Sequence, residues 1–180
     1  MIRMSDEYND LLKKINKKYA FLSYELDLFN DKLVFSNLKK DLLYINSFDR
    51  YNVKDLEIID SLLTEIFYKL DSFKNIYKNN EDLDEEKILS KVIEYYKKTI
   101  ENKVKEKEFL LKGDNSLEQI EEYARLKDYL VYLEYIDSKD IYTKLSIIRD
   151  YEINQIENVK SMNKVNIKNY ESVGNNSGKK

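Results

Sequence analysis

Asn52-Val-Lys-Asp-Leu-Glu-Ile-Ile-Asp-Ser-Leu-Leu-Thr-Glu-Ile-Phe-Tyr-Lys-Leu-Asp-Ser-Phe-Lys-Asn-Ile-Tyr77 decides the fold class. Within it Leu56, Ile59, Leu63, Ile66, Leu70, Phe73 and Tyr77 follow at alternating steps of three and four. On an α-helix that spacing places every one of them on a single face. Ile58, Leu62, Phe67 and Ile76 flank the seam and widen it beyond a two-helix contact. The stretch therefore reads as the central stave of a helical bundle, roughly 37 Å long at about 1.5 Å per residue.

The pattern repeats outward in both directions. Tyr8, Leu12, Ile15, Tyr19, Leu22, Leu26, Phe29 and Leu33 form an earlier seam of fours and threes, with Ser5 as its predicted N-cap. After Leu33 the phase shifts: Ser36 falls where an apolar residue is due, and Leu38, Leu42 and Ile45 resume out of register. Neither Gly nor Pro interrupts this region, so one helix is expected to continue to about Ile45 through a stutter. Asn46 to Asn52 reads as a loop, with Asn52 capping the next helix.

Downstream, Asn79-Asn80 ends the central helix, and Glu81-Asp-Leu-Asp-Glu-Glu86 supplies the acids that favour a helix N-terminus. Leu89, Ile93, Tyr96, Ile100 and Val104 form the next seam. Gly113 stands where a helix terminates through a residue of positive φ, and Ser116 with Gln119 makes a capping box for the helix that follows. Such a short turn implies an antiparallel hairpin. Leu117, Ile120, Tyr123, Leu126, Leu130 and Leu133 share one side of the following helix. Asp137–Asp140 reads either as a soft break or as continuous helix, and beyond it Ile141, Leu145, Ile148, Tyr151, Ile156 and Val159 form a last, less regular seam. The expectation is an all-α, antiparallel bundle of four to five long helices with heptad seams, in one domain over 1–168, and a disordered tail over 169–180.

Composition excludes several kinds of chemistry. In 180 residues there is no Pro, Cys, His or Trp, and there are only three Gly. Without Cys or His there is no disulfide framework, thiolate nucleophile, zinc finger or imidazole base. No phosphate-binding glycine loop or dinucleotide fingerprint occurs. No cofactor is called for, and no small-molecule substrate is evident. The opening Met1-Ile-Arg-Met-Ser-Asp-Glu7 lacks an apolar leader, and no apolar run is long enough to span a membrane. A cytoplasmic protein without membrane contact is expected. The 27 Lys against four Arg, with many Asn, Ile and Tyr, fit an AT-rich genome of the kind found in some bacteria, phages and plasmids.

Three sets of residues are candidates for function. Lys13, Lys14, Lys17 and Lys18 lie one turn apart in pairs, and Lys97, Lys98 and Lys105, with Lys103 and Lys107, concentrate charge on a later helix. Such faces suit a phosphate backbone, although the net charge of −3 and the scarcity of Arg weigh against a nucleic-acid footprint. Tyr129, Tyr132, Tyr135 and Tyr142 wind round their helices and must partly leave the core, as tyrosines at protein interfaces do.

The third set is acidic. Glu118-Gln-Ile-Glu121, twelve intervening residues, then Glu134-Tyr-Ile-Asp137 resembles the signature of all-α nucleoside-triphosphate pyrophosphohydrolases. The resemblance implies Mg²⁺ held by four acids on facing helices and cleavage at the α–β phosphate bond. It covers 20 residues, and residues 122–133 carry no turn signal. One helix through them would separate Glu118 from Glu134 by roughly 24 Å.

The leading expectation is a non-enzymatic protein-interaction or assembly module, with a protein partner or homo-oligomer. A nucleic-acid-associated helical subunit comes second, and the Mg²⁺-dependent pyrophosphohydrolase third.

Overall fold

A computed structural model describes residues 2–113, 116–135 and 140–178, with side chains over 6–113, 116–135 and 140–159. The described residues form six helices and no strand: α1 (Ile2–Leu28), α2 (Leu33–Asn46), α3 (Val53–Asn79), α4 (Glu85–Leu111), α5 (Leu117–Tyr135) and α6 (Ile141–Gly178). The all-α expectation holds. The chain gathers into two compact units, Met1–Lys74 with Tyr151–Lys180, and Asn75–Asp150.

In the first unit the α3 seam is interior. Leu56, Ile59, Leu63, Ile66, Leu70 and Phe73 are all buried, and so is the flanking Leu62. Asn52 caps α3 as expected: its Oδ1 accepts from Asp55 N at 2.9 Å, while Asp55 Oδ2 accepts from Tyr51 N at 3.0 Å. This reciprocal arrangement satisfies backbone donors on either side of the helix start and accounts for a buried Asp55. α1 contributes Ile15, Leu22 and Leu26 to the same interior. It begins at Ile2, so Ser5 lies within the helix and does not precede it as a cap.

The continuous helix expected to reach Ile45 is not present. α1 stops at Leu28, the chain turns over Phe29–Lys32, and α2 starts at Leu33. The turn is held by Phe29 N donating to Leu26 O at 3.2 Å and Lys32 N donating to Phe29 O at 3.1 Å. Asn30 and Asp31 favour this outcome, because their side chains compete for backbone groups and prefer turns to helix interiors. The heptad spacing carries on to Leu33, but that residue is 42% exposed, and the buried face of α2 is Val34, Phe35, Leu38, Leu42 and Ile45. α2 folds back beside α1. The Phe29 and Phe35 rings meet at 5.1 Å, and Lys39 Nζ reaches Ser23 Oγ at 2.6 Å and Asp27 Oδ1 at 3.0 Å. This break raises the helix count above the expected four to five.

The second unit holds α4, α5 and the first turns of α6. Asp84 caps α4 by accepting from Lys87 N at 2.9 Å, with Glu85 and Glu86 in the first turn, which explains the acidic run. Ile88, Leu89, Val92, Ile93, Ile100 and Val104 are buried along α4. α5 packs beside α4, tied near the turn by Lys107 Nζ to Glu122 Oε2 at 3.0 Å and to Gln119 Oε1 at 2.8 Å. Tyr123 donates to Glu108 Oε1 at 2.7 Å.

Two details of this unit differ from expectation. No glycine among the described residues has positive φ; α4 ends on Lys112 at φ −67°, and Gly113 N simply donates to Leu110 O at 3.1 Å. Leu117 and Ile120, assigned to the core side of α5, are exposed, and only Leu126 and Leu133 of that set are buried. α6 begins at a cap: Asp140 accepts from Tyr142 N at 3.1 Å and Thr143 N at 3.0 Å, and its side chain also receives the Thr143 hydroxyl. These bonds to Thr143, hydroxyl then backbone, hold the Asp140 carboxyl below the ordinary aspartate value. α6 is described as helix to Gly178, so the tail expected to be disordered over 169–180 is described in its backbone as far as that residue. The side chains from Lys160 onward and residues 179–180 lie outside the described residues.

Candidate interaction surface

The cross-links between α1 and α3 advance together along both helices. Lys18 Nζ lies 2.6 Å from Asp60 Oδ1 and 3.0 Å from Thr64 Oγ1, the Phe21 and Phe67 rings meet at 6.1 Å, and Lys74 Nζ pairs with Glu25 Oε2 at 3.0 Å. Where the two helices part on the solvent side they leave an open cavity of about 350 Å³. Leu22 and Leu63 form its floor, Phe21 and Phe67 its walls, and Lys17, Lys18 and Thr64 its rim. The lining is almost wholly apolar, which is the usual character of a recognition pocket between helices.

The spacing places Phe67 on the flank of the α3 seam, yet it is 44% exposed, and Phe21 opposite it is 48% exposed. The patch extends along α1 through Tyr24 and Leu28, both exposed, and onto α3 through Tyr68. Lys13, Lys17, Phe21, Tyr24 and Leu28 succeed one another at steps of four, four, three and four. They form a second stripe on α1, roughly opposite the buried seam, basic in its first half and apolar in its second. Heptad spacing marks the buried face of α1, and this opposite stripe lies outside that seam.

The lysines of the sequence prediction fall into two groups. Lys13, Lys14, Lys17 and Lys18 belong to the first unit, Lys97, Lys98 and Lys105 to the second. Asp60 engages Lys18 and, at 3.7 Å, Lys14, whereas Lys13 and Lys17 are exposed and make no ion pair among the described residues. Lys98, Lys103 and Lys105 are exposed, Lys97 is half-buried, and Lys107 is turned onto α5 by Glu122. Of the tyrosines, Tyr132, Tyr135 and Tyr142 are exposed and Tyr129 is half-buried.

The acidic signature does not assemble into facing helices. Glu118, Glu121 and Glu134 all stand on the single helix α5, so Glu118 and Glu134 are separated by roughly 24 Å along its axis. Asp137 lies outside the described residues. Among the described residues no group of three or more acids is placed to hold a metal ion, and no helix is long and apolar enough to cross a membrane.

A charged cluster inside the first unit has no signal in the local sequence pattern. Lys69 Nζ on α3 meets Glu152 Oε1 on α6 at 2.7 Å, with side chains 21% and 15% exposed, and Asp41 on α2 is buried. Burial alone would lower the Lys69 pKa, but the charge and hydrogen bond of Glu152, joined by Glu65 and Asp41, reverse this and the net shift is upward. The raised value keeps Lys69 cationic and suits a structural ion pair, not a nucleophile. No family model, no curated protein and no solved structure matches the chain.

Proposed function

We propose that this protein is a non-enzymatic interaction or assembly module that engages a macromolecular partner, or a second copy of itself, through the outer faces of long helices. On this reading its helices form an antiparallel bundle whose heptad seams serve only as scaffold. The supporting observation is the apolar surface left open beside charged residues: Phe21, Tyr24, Leu28, Phe67 and Tyr68 cluster on α1 and α3. Exposed patches of this kind, rimmed by polar groups, mark interaction sites more often than isolated surface leucines do. Tyr132, Tyr135 and Tyr142 provide exposed aromatics in the other unit.

The test is affinity recovery from the source, with and without nuclease, joined to sedimentation of the purified chain. A protein partner that survives nuclease, or a concentration-dependent oligomer, is the expected result. A monodisperse monomer that recovers nothing would refute the proposal.

A second reading, contact with nucleic acid, draws on Lys13 and Lys17, which are exposed and make no ion pair among the described residues. It requires salt-sensitive oligonucleotide binding that disappears on Lys→Glu exchange at 13, 14, 17 and 18. Absence of binding at low salt would eliminate it.

A further inference from the structure

We infer that the stripe Lys13–Lys17–Phe21–Tyr24–Leu28, with the cavity beside it, is a docking groove for an amphipathic helix that carries acidic residues at one end. This rests on the interaction-module reading and supplies the chemistry of the partner. Three observations specify that occupant.

The first is charge. Within the first unit three acids near the groove are already engaged: Asp60 by Lys18 and Lys14, Glu25 by Lys74, and Asp27 by Lys39. Asp71, exposed on α3 one turn beyond Phe67 and Tyr68, makes no ion pair among the described residues and adds negative charge beside the apolar half, so an acidic end of the occupant belongs at the lysines. Asp10 stands one turn before Lys13 and Lys14. Lys17 on the cavity rim and Lys13 one turn before it present cationic heads with no ion pair among the described residues. An occupant that brings carboxylates to that end and hydrocarbon to the other matches both halves of the stripe.

The second is length. From Lys13 to Leu28 the stripe runs roughly 22 Å, four turns of helix. The cavity of about 350 Å³ occupies only its middle, between Phe21 and Phe67. A small anionic amphiphile would fill the cavity and leave Tyr24 and Leu28 uncovered. A helix of about four turns covers the whole stripe. Apolar residues at i, i+3 or i+4, and i+7 span the roughly 10 Å from Phe21 to Leu28 and seat one side chain between the two rings, and acids in the adjoining two turns reach Lys17 and Lys13.

The third is the distribution of apolar groups. A phosphate backbone would use the lysines, but it gives no role to Leu28 and draws little from a cavity floored by Leu22 and Leu63. Nucleic acid therefore accounts for half the surface.

The test is a selection of displayed random peptides of about 16 residues, roughly four helical turns, on the full-length chain. Enriched sequences should carry apolar residues at helical spacing with Asp or Glu clustered at one end. Their affinity should fall about tenfold or more in Phe21→Ser, as expected when a wall of the pocket that holds the anchor is removed. Selection on Lys17→Glu should return peptides whose flanking charge is basic, a reversal that loss of fold would not produce. Circular dichroism of both variants should match the parent, since both positions are substantially exposed. Peptides that bind Phe21→Ser as tightly as the parent, peptides without acidic bias, or no enrichment at all would each overturn the assignment. So would a mixed-sequence oligonucleotide that binds this stripe in preference to every peptide. If recovery from the source yields a protein partner that Phe21→Ser still binds, the interaction reading stands and this placement falls. If no partner is recovered either, both fall.

Discussion

Truncating Phe73 and Phe67 separately on α3 contrasts interior with surface on a single helix. Phe73 has no exposed area, and its ring sits in line with the buried seam. Phe73→Ala removes the transfer free energy of a whole ring and leaves a cavity, a loss of about 3–5 kcal/mol. A native state is stabilised by about 5–15 kcal/mol in total, so this is a large share. At about 2–4 °C per kcal/mol for a chain of this size, the midpoint of thermal unfolding should fall by about 6–20 °C. Phe67 is 44% exposed and borders an open cavity, so no new void is created. About half the usual transfer term is lost. The contacts with Phe21 at 6.1 Å and Tyr68 at 5.9 Å add a modest aromatic contribution. Phe67→Ala should cost about 1–2 kcal/mol, or about 2–8 °C. Thermal melts followed by far-ultraviolet circular dichroism measure both. If Phe67→Ala destabilises as much as Phe73→Ala, Phe67 is a core residue and the open groove does not exist.

Other outcomes follow from the same packing. Leu63→Asp places a carboxylate at a position 1% exposed and should abolish the cooperative melt; a folded variant of full helicity would contradict the placement of the seam. The upward-shifted Lys69 contributes stability that is complete below the unfolded lysine value of 10.5 and is lost as pH rises through the higher folded value. Tyr44, pushed up by burial and then by Glu157, acts in a neighbouring alkaline window, so denaturant titrations belong in a Tyr44→Phe background. There Lys69→Met should cost about 2 kcal/mol at neutral pH, less than the loss for a fully buried pair, and should flatten the alkaline decline. An unchanged alkaline slope would remove Lys69 from the account. Glu118→Gln and Glu134→Gln should leave any Mg²⁺ response in calorimetry identical to the parent, because α5 holds them far apart. Loss of a Mg²⁺ signal in both variants would show that the two carboxylates share an ion.

The central helix was legible because its constraints are local and consistent. Leu56 to Phe73 keep one phase, Asn52 and Asp55 make the start, and Asn79-Asn80 make the end; the seam is buried as the spacing required. The break after Leu28 was not legible for the opposite reason. Phe29 and Leu33 preserve the heptad spacing across it, and no Gly or Pro marks it, so the shift of phase showed only at Ser36, well past the turn. What decides the matter is tertiary: the interior takes Val34, Phe35 and Leu38 in place of Leu33. The Gly113 turn was located correctly but given the wrong backbone, since the bond to Leu110 O closes it without positive φ.

The candidate surface was half visible. Lys13 and Lys17 stood out as charges, yet Phe21 and Tyr24 were absorbed into the general abundance of aromatics, and Phe67 into the seam. Spacing identifies a stripe but does not tell which of two opposing stripes faces water; only the neighbouring helix does that. The Lys69–Glu152 pair joins residues far apart in sequence, and nothing in the local pattern of either predicts the meeting.

The most direct test of the central claim is recovery of partners from a nuclease-treated lysate of the source by the full chain and by its Phe21→Ser, Tyr24→Ser, Leu28→Ser triple variant. All three positions are exposed, so the variant should keep its helicity. The account predicts a protein partner bound by the parent and lost from the variant. A partner retained in full by the variant, or one that disappears on nuclease treatment of the parent, would contradict it.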